Sequence, residues 1–84
     1  MTTHTHHFVE TYDGLPAMGL DRDTDEKTLM YYFQKFSDDT LMQTLVARLT
    51  DEEVEDLYNL VNRVMKNHLS EDEYHKLFLK DASY

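Results

Sequence analysis

Every glycine and the single proline of this chain stand among its first 20 residues, at Gly14, Pro16 and Gly19. Beyond Gly19 nothing remains of the two residue types that break helices and build tight turns most effectively, and good helix formers dominate. That one asymmetry divides the sequence into an irregular lead-in over residues 1–22 and a helical domain over 23–84, with folded structure expected over 23–81. In the lead-in, Tyr12-Asp13-Gly14 and Pro16 predict a turn, and Phe8, Val9, Leu15, Met18 and Leu20 are available to pin parts of it against the helices.

Charge marks where the helices begin and end. Four acid-rich openings, Asp21 to Glu26, Ser37 to Asp39, Thr50 to Glu53 and Ser70 to Glu73, are followed by closing cations at Lys35, Arg48, Arg63 with Lys66, and Lys76 with Lys80. Carboxylates suit the unpaired N–H groups and positive dipole end of a helix, and cations suit its other end. Thr50 with Glu53 and Ser70 with Glu73 complete capping boxes, and Ser37 is the expected cap of the second helix. Apolar residues recurring at helical spacing then give four helices, at 24–36, 38–49, 51–68 and 71–80.

The faces follow from the same period. Leu29, Met30, Phe33 and Phe36, widened by Tyr32, form the first, and Leu41, Met42, Leu45, Val46 and Leu49 form the second. The third runs from Val54 through Leu57, Tyr58, Leu60, Val61, Val64 and Met65 to Leu69. It covers about half the helix circumference. So broad an arc packs on more than one neighbour, which makes this helix the expected centre of the core. Tyr74, Leu77 and Phe78 face inward from the last. Almost no residues separate consecutive helices, whereas antiparallel hairpins need a few loop residues, so the expected fold is a small, compact all-α array with steep crossings. A competing reading fuses the first two helices into one kinked rod, since neither Gly nor Pro parts them.

The balance of 17 acids against 8 bases gives a net charge of −9, which disfavours phosphate backbones and anionic lipid and favours basic partners. The absence of cysteine removes disulfides and thiolate metal sites, and no apolar run approaches the roughly 20 residues of a membrane span. A soluble, cytoplasmic protein is expected. A helix-turn-helix built from the second and third helices would place Asp51, Glu52 and Glu53 against DNA phosphates, so no nucleic-acid partner is expected.

Candidate chemistry is sparse. Asp21, Asp23 and Asp25 occupy positions one, three and five of a possible calcium loop, and Leu49-Thr50-Asp51-Glu52-Glu53-Val54 resembles a helix opening of calmodulin-like proteins. A calcium loop also needs glycine at position six and glutamate at position twelve, where Glu26 and Tyr32 stand. His4, His6 and His7 form the dense histidine set. With Met1 removed, the free amine, two amides and the His4 imidazole would make a square-planar site for copper or nickel, and imidazoles also suit zinc. His68 and His75, with Glu71 and Asp72 nearby, fall short of the paired Glu-x-x-His elements of a di-iron bundle. Ser37 and Ser70 lack a nucleophile elbow, there is no Gly-rich phosphate loop, and the adjacent acids Glu52 and Glu53 point about 100° apart. The sequence is therefore read as a non-enzymatic protein-protein interaction or regulatory module, with a copper- or nickel-binding N-terminus as the alternative. Tyr31 and Leu79, off the expected core faces, together with Tyr32 are its expected contact residues, toward a protein partner or a second copy in a homodimer.

Overall fold

The computed structural model describes residues 6–14 and 16–81, and every regular element among them is helical. The chain divides into two units, Met1–Arg48 and Leu49–Tyr84, each of which is taken by itself. The all-α class read from the sequence holds.

In the first unit, α1 (His7–Thr11) is a single short helix within an otherwise irregular lead-in, and α2 (Arg22–Phe36) is the long element against which it packs. Asp21 starts α2 two residues earlier than the apolar period suggests. Its carboxylate accepts the Thr24 N–H at 2.8 Å and the Thr24 hydroxyl at 3.0 Å. The opening turns are further tied by exposed i,i+4 pairs, Arg22 with Glu26 at 2.7 Å and Lys27 with Asp23 at 2.6 Å. Gly19, at φ +90, makes the turn into this cap in a conformation that L side chains rarely adopt, and its N–H donates to Asp25 Oδ1 at 2.8 Å.

The backbone N–H and then the hydroxyl of Thr24 hold the Asp21 carboxyl below its ordinary value of 3.8. The folded form therefore favours the carboxylate. Its contribution is complete above the unfolded value and is lost as pH falls through the lower, folded one. A carboxyl carbon titration followed by NMR should return a midpoint for Asp21 below 3.8, and a midpoint at or above it would refute the cap as the cause.

Helix α2 does not run on into the next element. Ser37, expected to cap the second helix, instead closes α2, its N–H donating to the Phe33 carbonyl at 2.9 Å and its hydroxyl to the Gln34 carbonyl at 3.2 Å. Asp38 takes the N-cap of α3 (Asp39–Val46) and accepts the Leu41 N–H at 3.1 Å. Of two adjacent capping residues, the one whose side chain reaches the N–H three positions on sets the boundary. Helix α3 stops at Val46, and a turn carries the chain through Arg48, whose N–H reaches the Leu45 carbonyl at 2.9 Å.

The side of α2 that meets the lead-in is the polar one. Thr28 is 1% exposed; its hydroxyl donates to the Ala17 carbonyl at 2.9 Å and accepts the Ala17 N–H at 3.0 Å. Gln34 accepts the Val9 N–H at 2.9 Å, which holds α1 beside the buried Val9 side chain. Ser37 Oγ lies within hydrogen-bond distance, 2.7 Å, of His6 Nε2. The expected inward face is thereby left outward: Leu29, Met30, Phe33 and Phe36 are all exposed, Phe33 at 62%. Hydrogen bonds from lead-in backbone groups, which must be satisfied on removal from water, select Thr28 and Gln34 as the docking side.

In the second unit, α4 (Asp51–His68) keeps the boundaries predicted from its cap. Glu53 N–H donates to Thr50 Oγ1 at 3.1 Å and Thr50 N–H to Glu53 Oε1 at 3.0 Å. Leu69 alone separates α4 from the second box, where Glu73 N–H meets Ser70 Oγ at 3.1 Å and Ser70 N–H meets Glu73 Oε1 at 2.8 Å. The helix this box opens is α only over α5 (Glu71–Glu73) and continues as a π-helical stretch, Tyr74–Leu79. Tyr74 and Phe78 stack with centroids 5.3 Å apart, and Lys80, at φ 59, ends the stretch in the left-handed region. The N–H groups of Lys80 and Asp81 both reach the His75 carbonyl, and His75 Nδ1 lies 2.9 Å from Asp81 Oδ2.

Candidate interaction surface

Helix α4 carries no buried residue. All residues from Asp51 to Val61 are exposed, which reverses the expectation that this helix forms the centre of the core. Its apolar stripe of Val54, Leu57, Leu60, Val61 and Val64 stands 41–48% exposed. Asn62, Met65 and Leu69 are half-buried. With Lys66, Glu71 and Tyr74 they line an open hollow of ≈ 340 Å³ at the junction of α4 and α5. The stripe is continuous because its residues recur three and four apart along α4, from Val54 to Val64, a rise of about 15 Å.

The stripe lies in a polarised electrostatic frame. Asp51, Glu52, Glu53, Glu55 and Asp56 occupy the first two turns, and Arg63, Lys66 and His68 the last two. Thr50 and Glu53 fix the acidic end through the capping box, so the location of this charge is a property of the backbone as much as of the side chains.

The predicted contact residues separate. Tyr31 and Tyr32 are ring neighbours on α2, with centroids 6.5 Å apart. Tyr31 is half-buried, its ring 5.7 Å from that of Tyr12 and beneath the Lys35 ammonium at 5.3 Å, so it is engaged within its own unit. Tyr12 in turn stacks on Phe8 at 5.0 Å. Tyr32 is 60% exposed. Leu79, 43% exposed, belongs to the second unit at the end of the π-helical stretch.

Of the histidine set, His6 is held by Ser37, His7 is exposed on α1, and His4 lies outside the described residues. Among the described residues, no group of three or more His, Asp or Glu side chains converges to hold a metal ion. The three aspartates in calcium-loop spacing have separate structural partners: Asp21 caps α2, Asp23 meets Lys27, and Asp25 accepts from Gly19. No helix among the described residues is long and apolar enough to cross a membrane.

The α4 stripe was visible in the sequence as an apolar arc, but assigned to a core. Its breadth, about half the circumference, is what the apolar spacing shows; its exposure is seen only in the structure. Compared with family models, curated proteins and solved structures, the chain matches none of them.

Proposed function

We propose that this chain is a small, non-enzymatic protein-protein interaction or regulatory module whose principal contact is the apolar stripe of α4, with Tyr32 and Leu79 as further contact positions. The observation that supports this reading is the exposure of Val54, Leu57, Leu60, Val61 and Val64 along one continuous face. Fully burying such a side chain is worth roughly 1.5–3 kcal/mol, and a good part of that remains unrealised here. Single exposed apolar residues are ordinary on protein surfaces; five on one helix face form a patch of the sort that partner proteins cover.

Secondary structure supports the same reading. Isolated helices are marginal in water, and most helices in proteins draw their stability from packing an apolar face. Two capping boxes support the second unit, but caps of this type are worth on the order of 1 kcal/mol each and do not substitute for a packed face. A partner on the stripe would supply what the helix lacks.

In-cell photo-crosslinking tests this. A photo-reactive residue in place of Leu60 is expected to give a covalent adduct with a protein, while the same residue in place of Asn59, on the opposite side of α4, is expected to give far less. Equal, background-level adducts from both positions would overturn the assignment.

A further inference from the structure

We propose that the hollow at the junction of α4 and α5 is a binding site for a small hydrophobic carboxylate, its apolar body against Met65, Leu69 and Tyr74 and its charged head on Lys66 and Ser70. The site is a product of a corner in the chain. Leu69 alone joins the two helices, in extended conformation at φ −112 and ψ 140, and its N–H is tied to the Met65 carbonyl at 2.8 Å. Ser70, held by its reciprocal bonds with Glu73, opens α5 directly, and the two helices part around an open space of ≈ 340 Å³. That volume stands at the low end of the roughly 300–1,000 Å³ of ligand pockets, which suits an apolar body of about one ring.

The apolar wall is formed before any ligand arrives. Met65, Leu69 and Tyr74 are half-buried. The Tyr74 ring is fixed by stacking on Phe78, with centroids 5.3 Å apart, and by an edge contact with the His75 ring at 5.8 Å. A side chain already ordered loses little further freedom on binding.

The polar groups of the hollow set the charge of the ligand. Lys66 lines it and makes no ion pair among the described residues. Ser70 Oγ accepts the Glu73 N–H at 3.1 Å and keeps its own proton to donate. Glu71, the one carboxylate of the lining, already has a partner. An open cation and an open hydroxyl donor beside an apolar wall match an anionic head on an apolar body, and the two oxygens of a carboxylate can accept from both. A hydrophobic cation would instead meet the Lys66 ammonium at close range, where like charge repels.

Titration of the full, isotopically labelled chain with 3-phenylpropanoate, followed through its amide NMR signals, tests the site. Saturable shifts are expected around residues 62–74, strongest at Leu69 and Ser70. The uncharged 3-phenylpropanamide, with the same body, is expected to bind about three- to fivefold more weakly, the size of an exposed charge pair. Lys66→Gln should abolish that preference, whereas Arg63→Gln, a cation of the same helix that does not line the hollow, should keep it. Met65→Ala strips part of the wall without touching charge and should weaken acid and amide alike. Circular dichroism checks that each variant remains folded. The proposal is overturned by the absence of saturable shifts around the hollow, by equal affinity for acid and amide, or by a Lys66→Gln variant that still prefers the acid.

Discussion

Thr28→Val is expected to lower the stability of the Met1–Arg48 unit by roughly 1–3 kcal/mol, although valine has nearly the same shape. The Thr28 hydroxyl both donates to the Ala17 carbonyl and accepts the Ala17 N–H, at 2.9 and 3.0 Å, and the side chain is almost wholly buried. Valine keeps the volume and removes both bonds, leaving two backbone groups of the lead-in beside a methyl that cannot answer them. Ala17 itself is only half-buried, so water reaches part of the vacated site and the cost should fall short of the full penalty for two orphaned groups. Thr28→Ser keeps the hydroxyl and should lose distinctly less. Denaturant unfolding followed by tyrosine emission measures the difference, since Tyr12 and Tyr31 sit in ring contact where the lead-in meets α2. A valine variant within about 0.5 kcal/mol of the parent would show that the reciprocal pair does not hold the lead-in in place.

The reason Thr28 matters explains what could and could not be read beforehand. Capping boxes gave the limits of α4 because their chemistry is local: Thr50 and Glu53 need only each other's backbone N–H groups. The same locality made Ser37 and Asp38 hard to rank, since both are good caps and the choice depended on Ser37 being engaged by Gln34 and His6. Helix α1 has no side-chain cap, and its position depends on the contact between Val9 N–H and Gln34, 25 residues away. The π-helical stretch after Glu73 gave no signal in the apolar period. Periodicity correctly grouped Leu29, Met30, Phe33 and Phe36 on one side of α2, but it cannot say which side is covered. Satisfying the backbone of the lead-in took precedence, and it placed Thr28 inside and the apolar group outside.

The same distinction applies to the candidate surface. The residues of the α4 stripe were identifiable from spacing, and so was the charge polarity that frames them; their exposure was not, because burial depends on what the rest of an 84-residue chain supplies. Tyr31 shows the converse. It lies off the apolar face of its helix and reads as a surface aromatic, yet Tyr12 and Lys35 engage its ring.

Asn59→Pro should have the largest effect of any single change in the second unit, and it alters no residue of the stripe. Proline at this position removes the N–H that bonds to the Glu55 carbonyl in a continuous α-helix and drives its ring against that carbonyl, at a cost of ~3 kcal/mol or more. In a helix packed into a core, neighbouring elements offset part of such a loss. Helix α4 has no buried residue to do so, and the break would fall between Leu57 and Leu60, separating Val54 and Leu57 from Leu60, Val61 and Val64. The expected result is a marked loss of helical circular dichroism, with adduct formation from position 60 falling to the level of the opposite face. Asn59→Ala, which raises helix propensity on the same exposed face, should retain or slightly increase both signals. If the proline variant kept full helicity and its crosslinks, the expected break of α4 at position 59 would be refuted. If instead helicity fell while the crosslinks persisted, the contact would need only the Leu60 to Val64 half of the stripe.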